Sequence, residues 1–239
     1  RNWSVSAFAV ALLTTSAAAA PVSWTGQGDG LSWSDPLNWS GNALPGPADD
    51  VTISVPASDP IIAISGVNPS IRSLSTSEIL RFTAGTTFSV STTATSSAPL
   101  RLAGGTVSGG AWSFTGAGAF QITGTLESRL NNAAVTGEIV ATDVNGRLRM
   151  NTATSFTTLR FRGNNASVAF EPGHVLAGQV IVDAAVTAHI DLTASGTLTL
   201  GPTGVIATAP GLSATIDVGP GWWYSSDVTL VVQGVISHA

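Results

Sequence analysis

Residues 102–110 read Leu-Ala-Gly-Gly-Thr-Val-Ser-Gly-Gly, residues 114–120 read Phe-Thr-Gly-Ala-Gly-Ala-Phe, and residues 122–126 read Ile-Thr-Gly-Thr-Leu. These related phrases follow one another without the Asn-Gly or Asp-Gly pairs that make tight β-hairpins. A unit that recurs without reversing direction is typical of a solenoid, in which each coil completes the core of its neighbour. The stretch therefore favours a right-handed parallel β-helix, that is, a β-solenoid.

The sequence on both sides of this stretch also predicts many short strands. Beyond residue 60, β-branched or aromatic runs are interrupted every eight to ten residues by Gly, Asn, Pro or Ser. Within a run such as residues 147–150, Arg alternates with Leu or Met, which predicts one wet and one buried face. Strand spacing alone also fits a barrel or a β-sandwich, and the sandwich is the main alternative. With coils of about 20 residues, we expect roughly ten coils.

The composition excludes several classes of function. The chain has 239 residues, 44% of them apolar, a formal net charge of −5, and nine basic residues that are all Arg. The negative net charge argues against a nucleic-acid partner, which would need a basic stripe to displace counterions from its phosphates. The sequence contains no Cys, which excludes disulfides, thiolate metal sites and a Cys nucleophile.

The first 20 residues predict export. Arg1 and Asn2 precede an apolar run over residues 5–13, and four Ala follow at residues 17–20. This is the outline of a secretory signal peptide, and the run is too short for a permanent membrane anchor. We expect a signal peptide at 1–20, a Trp/Gly-rich capping module with the first strand at 21–60, and a solenoid at 61–239 that continues past the end of this sequence. Any membrane attachment would lie outside this chain.

The segment 21–60 differs sharply from the rest of the chain. Three of the seven Trp (Trp24, Trp33 and Trp39) fall within sixteen residues, among closely spaced Gly, Pro, Asp and Asn. Such residues form turns, so the sequence predicts a compact loop region followed by a strand at 51–55. We expect the Trp rings to cover the end of the core. A second bulky loop at 219–224 could lie near the opposite end.

A specific motif supports this assignment. It reads W-T-G-x-G-D-x-x-W-S-D-P-x-N-W-S-x-G-x-x-P-x-x-x-D-D-V-x-I, allowing one or two residues of spacing difference, and is carried by Trp24, Thr25, Gly26, Gly28, Asp29, Trp33, Ser34, Asp35, Pro36, Asn38, Trp39, Ser40, Gly41, Pro45, Asp49, Asp50, Val51 and Ile53. It resembles a motif of secreted bacterial β-helix proteins, including autotransporter-like surface proteins. The resemblance covers about thirty residues; it implies the first turn of a β-solenoid and no activity.

The capping module allows two ligand hypotheses beside its structural role. Asp29, Asp35, Asp49 and Asp50 could supply oxygen ligands to calcium, although their spacing is not that of an EF-hand. Otherwise the sequence predicts no cofactor. Trp24, Trp33 and Trp39 could instead present an aromatic platform to sugar rings. Turn-capping carboxylates and core-covering rings are the commoner roles for such residues.

Catalytic groups are sparse in the rest of the chain. Asp183 and Asp191 flank His189 and form the best catalytic candidate, and no other carboxylates lie close together on one face of a run. Ser195 lacks the glycines of a nucleophile elbow. Arg147, Arg149, Arg160 and Arg162 could form a basic stripe for an anionic glycan if successive coils align.

These observations favour a function without catalysis. We expect an exported structural or adhesive passenger segment of a bacterial cell-surface protein, whose partners are extracellular glycans or the surfaces of host or neighbouring cells. The alternative is a polysaccharide-active lyase or hydrolase, or a carbohydrate-binding module, on the same β-helix.

Overall fold

A computed structural model describes residues 21–55, 60–183, 185–209, 215–218 and 228–238. The signal peptide expected at 1–20 and the loop expected at 219–224 lie outside these residues. Within them the chain is a nearly all-β solenoid of about seven turns, with parallel sheets. Parallel pairing excludes the β-sandwich alternative, whose strands are antiparallel.

The strands stack in ladders that run along the solenoid. The first ladder contains β1 (Pro21–Ser23), β2 (Asp50–Ile53), β5 (Ser73–Thr76), β8 (Thr93–Ser96), β11 (Ala111–Phe114), β14 (Ala134–Ala141) and the start of β16 (Ser155–Phe161). The second contains β3 (Ile61–Ile64), β6 (Ile79–Thr83), β9 (Leu100–Ala103), β12 (Phe120–Ile122), the ends of β14 and β16, β19 (Gln179–Val182), β22 (Val205–Thr208) and β25 (Val235–His238).

The third ladder contains β4 (Ser70–Ile71), β7 (Thr87–Val90), β10 (Thr106–Ser108), β13 (Glu127–Asn131), β15 (Arg147–Met150), β17 (Ala166–Phe170), β20 (Thr187–Leu192) and β23 (Thr215–Val218). A short fourth ladder contains β18 (Val175–Leu176), β21 (Gly196–Leu200) and β24 (Val228–Val232). The capping module adds a 3-10 turn at Pro36–Asn38. No helix within the described parts of the chain has the length and apolarity needed to cross a membrane.

The core is built from columns of inward side chains, one from each coil. One column follows the second ladder in register through Ile62, Leu80, Leu100, Phe120, Ile139, Leu159, Val180 and Ile206, all 3% exposed or less. Because alternate residues of a strand point to opposite faces, the polar neighbours of these residues face outward. Each coil thus buries the apolar side of the next.

Strand β14 joins two ladders. Its first residues pair with β11 and its last with β12, and the register shifts between Val135 and Glu138. Gly137 lies at this irregularity with φ +129°, a value that side-chain-bearing residues rarely adopt. A glycine at this position accommodates the one extra residue of β14 in a bulge, where Val135 to Glu138 lie opposite Phe156 to Thr158 of β16.

The coils number fewer than expected. Along the second ladder, register partners are 18 to 21 residues apart for six steps and then 26 and 30. The solenoid has about seven turns instead of ten. The later coils are longer than expected, and most residues of the capping module form loops and not solenoid strands. The eight steps of the second ladder, at roughly 4.8 Å each, make this ladder about 38 Å long.

Candidate functional site

The three Trp of the capping module form a buried aromatic cluster. Trp24 and Trp33 both contact Trp39 edge-on, with ring centroids 4.9 and 4.5 Å away. The Trp39 indole N–H donates to the carbonyl of Trp33 at 2.8 Å. The exposed fractions are 6% for Trp24 and 1% for each of the other two. Protein atoms therefore cover the ring faces that a sugar platform would have to present.

The capping module also covers the open edge of the second ladder. The backbone N–H of Trp33 donates to the carbonyl of Ala63 at 3.0 Å, and the N–H of Ala63 donates to the carbonyl of Leu31 at 2.7 Å. Ala63 lies in β3, the first strand of that ladder. An uncovered edge is a template for association with other chains, so these bonds protect the end of the rod.

Asn38 organises the turns of the module. Its Oδ1 accepts hydrogen bonds from the N–H groups of Gly28 and Gly30, both at 2.9 Å. Its Nδ2 donates to Asp29 Oδ1 at 2.7 Å and to the carbonyl of Ser32 at 3.0 Å. The residue is fully buried, and these four bonds use the full donor capacity of its amide and both oxygen lone pairs. The motif includes this Asn, but the sequence does not reveal its central position.

Asp29 is held as a carboxylate by the loop that follows it. The Ser32 hydroxyl, the backbone N–H groups of Leu31 and Ser32, and the Asn38 amide donate to it, and together they hold the pKa of Asp29 well below its ordinary value of 3.8. Hydrogen bonds to the charged form favour ionisation. The function of this negative charge is to cap a turn.

The other three carboxylates proposed as calcium ligands have separate partners. Asp35 accepts from the N–H groups of Asp29 and Leu37, and Asp49 accepts from the N–H of Gly46. Asp50 pairs with Arg72, which lowers the pKa of that carboxyl. In the part of the chain that the structure describes, no three His, Asp or Glu residues lie together in a way that could hold a metal ion.

The four arginines proposed as a basic stripe do not form one, which corrects that expectation. Arg147 and Arg149 lie on β15 in the third ladder, whereas Arg160 lies on β16 in the second. Three of the four pair with carboxylates: Arg149 with Glu171 at 3.3 Å, Arg160 with Glu138 and Asp183 at 2.7 and 3.3 Å, and Arg162 with Asp183 at 3.1 Å. The coils align, but they bring opposite charges together.

The residues around His189 have different partners from those that a catalytic pair would need. Asp183 binds Arg160 and Arg162, whereas the buried Asp191 accepts from the Ser167 hydroxyl at 2.7 Å. His189 is buried beside Ser167 in the register of β17 and β20. The two Asp residues that flank His189 therefore serve different contacts.

One arrangement was not predicted: two arginines stacked in register on the outer face of the second ladder. Arg81 of β6 lies beside Arg101 of β9, and Gln121 of β12 follows in the same column. Together with Ile61, Thr123, Thr142 and Asp143 they line an open groove of about 460 Å³. The signal was present, because both arginines stand between apolar core residues and are 20 positions apart.

Searches against protein-family models, curated proteins and solved structures find no match to this chain.

Proposed function

We propose that this chain is a structural or adhesive passenger segment of a bacterial cell-surface protein, and that it acts through its surface and length without catalysis. The observation that carries the proposal is the in-register stack of about seven coils around one continuous core, with a capping module over its first edge. A continuous core gives a stiff rod, because bending it would separate packed side chains of adjacent coils.

The outer surface supports the same function. A column of exposed hydroxyl residues follows the first ladder in register, through Ser23, Thr52, Ser75, Thr95, Ser113 and Thr136. Hydroxyls spaced by one strand give a polar face without net charge, suited to many weak hydrogen bonds with another surface. Most of the carboxylates whose side chains are described cap turns or form ion pairs, and Asp191 and His189 are buried, which fits a display function better than catalysis.

Surface location is the property to test first. Intact cells of the source organism would be treated with an external protease and probed with antibodies against this chain and against a cytosolic marker. The proposal expects loss of this chain while the marker persists. Protection of the chain until the cells are lysed would contradict it.

A second measurement addresses catalysis. The purified chain would be incubated with a panel of polysaccharides, and unsaturated products and new reducing ends would be measured. We expect no release above the buffer control. Turnover that is lost in an Asp191→Asn or Asp183→Asn variant would favour the enzyme alternative instead.

A further inference from the structure

We infer that the groove lined by Arg81 and Arg101 binds a carboxylate-bearing oligosaccharide, with its acid group on the two arginines and its neutral part toward Gln121. The inference is independent of the display function proposed above, because it rests on the geometry of this groove alone. A secreted protein of any function could carry the site.

The first observation is the pairing of arginines elsewhere in the molecule. Arg72, Arg129, Arg149, Arg160 and Arg162 all form salt bridges with carboxylates. Among the described residues, no carboxylate forms a salt bridge with Arg81 or Arg101. The two arginines are register partners on neighbouring strands, whose backbones are about 4.8 Å apart. Two positive side chains therefore extend side by side from the same face of the sheet. An anion bound between them would relieve that repulsion, and a guanidinium pair can hold a carboxylate through several donors.

The second observation is the lining of the rest of the groove. Past the arginines, Gln121 contributes an amide, and the Thr123 and Thr142 hydroxyls follow. Both hydroxyls donate to backbone carbonyls, at 3.3 and 3.0 Å, which leaves their oxygens as acceptors. Ile61, 41% exposed, adds an apolar surface at the arginine end. Donors, acceptors and a small apolar patch in a row are suited to the hydroxyls and ring faces of a sugar chain.

The third observation sets the charge pattern of the ligand. Asp143 lies at the end of the groove opposite Arg81, three coils along the rod and three residues past Val140, the position in register with Arg81. Its Oδ2 accepts from the N–H of Gly124 at 2.6 Å. A carboxylate here repels a second acid group, so the groove favours one acid group at the arginine end and neutral rings beyond it.

A sugar chain fits this place better than an acidic peptide. Extended peptides commonly bind a sheet by adding a strand to an open edge. The groove lies on the face of the second ladder, where the backbone groups of β6, β9 and β12 are already paired with strands on both sides. Side chains are therefore the groups available for binding.

The test is calorimetric titration of the purified chain with four ligands: an aldotriouronic acid, which carries one uronic acid on two neutral sugars, its methyl ester, trigalacturonic acid and triglutamate. We expect the aldotriouronic acid to bind, and its methyl ester and triglutamate to bind at least tenfold more weakly. Trigalacturonic acid should bind more weakly than the aldotriouronic acid, because its distal acid group meets Asp143. The double variant Arg81→Gln/Arg101→Gln should lose roughly a hundredfold in affinity, about tenfold for each charge-assisted contact. The variant Arg72→Gln/Arg129→Gln changes the net charge equally and should bind as the unmodified chain does.

Asp143→Asn provides an independent readout. Removing its charge should raise the affinity for trigalacturonic acid several-fold, because the distal acid group of this ligand no longer meets a carboxylate. No binding of the aldotriouronic acid by the unmodified chain, equal binding of it by the Arg81/Arg101 variant, or binding of triglutamate as tight as that of the aldotriouronic acid would overturn the inference. Circular dichroism of each variant establishes that it is folded.

Discussion

Trp33 packs edge-on against Phe88, with ring centroids 5.1 Å apart. Trp33 belongs to the capping module, and Phe88 lies in β7 within the core column of the third ladder. Phe88 contacts Phe82 in turn, at 5.3 Å. The capping module is thus continuous with the core of the rod, and its contribution to stability can be measured.

Trp33→Ala should lower the free energy of unfolding by about 3 to 5 kcal/mol, because it opens a large cavity between the cap and the first coils. Denaturant titration followed by circular dichroism measures the loss. Leu37→Ala is the matched control, since Leu37 is also in the module but 53% exposed, and it should change stability by less than about 0.5 kcal/mol. Equal effects of the two variants would show that the cap is not coupled to the core.

Asn38→Ala should destabilise the chain by at least about 2 kcal/mol. The substitution leaves the N–H groups of Gly28 and Gly30 without their acceptor, and removes a donor from Asp29. Amide hydrogen exchange measures the effect locally, and the two glycine amides should lose protection first. Gln27→Ala alters an exposed side chain in the same turn and should leave their exchange unchanged. Retained protection in Asn38→Ala would contradict the assigned role of this side chain.

Gly28→Ala should disrupt the capping module for a steric reason. A Cβ at this position would lie 2.2 Å from Asp35 Oδ2, so the Asp35 side chain, which caps the following 3-10 turn, must move. Thermal unfolding should show a lower midpoint. At Gly46 the nearest atom to a new Cβ is 3.6 Å away, an ordinary contact, so Gly46→Ala should unfold at the original temperature or slightly above it. An unchanged thermal unfolding midpoint for Gly28→Ala would contradict the predicted clash between the new Cβ and the Asp35 side chain.

His174 should make stability depend on pH in mildly acidic solution. Burial holds the pKa of His174 below its ordinary value of 6.5, although a hydrogen-bond contact with the Asn151 carbonyl and the charge of Glu171 oppose the shift. The unfolded chain therefore binds the proton more readily, and stability is lost as the pH falls below 6.5 toward the folded-state pKa. His174→Phe, which keeps a ring beside Phe170, should lose less stability than the unmodified chain between pH 8 and pH 5 (about the range in which His titrates). Identical pH profiles would contradict the prediction.

Asp29 should contribute a second, more acidic dependence. Because its folded-state pKa lies below 3.8, its contribution to stability is complete above that pH and is lost as the pH falls further. Asp29→Asn retains a side-chain acceptor but removes the titration. The variant should be less stable at neutral pH and show a weaker acid dependence, measured by denaturant titration across the acidic range. Asp143→Asn, an exposed carboxylate outside the cap, is the control.

Local features of the sequence were sufficient to predict the fold class. Alternation of polar and apolar residues in runs such as Arg147–Met150 sets one wet and one dry face, and the absence of hairpin turns from the repeated phrases favours coils over reversals. Both are local properties, so they can be read without knowing which strands meet. The capping module was recognisable for the same reason, since its turn residues and Trp lie within one short segment.

The contacts between side chains of adjacent coils became known only from the three-dimensional structure. Partners in adjacent coils are separated by a variable number of residues, and a shift of one residue would move every side chain to the opposite face. Arg81 therefore meets Arg101, whereas Arg160 meets Glu138 and Asp183. The same alternation of Arg with apolar residues thus gives a groove with two arginines in one place and a cluster of ion pairs in the other. Ion pairing depends on which residues are in register, and the sequence does not show this because the number of residues per coil varies.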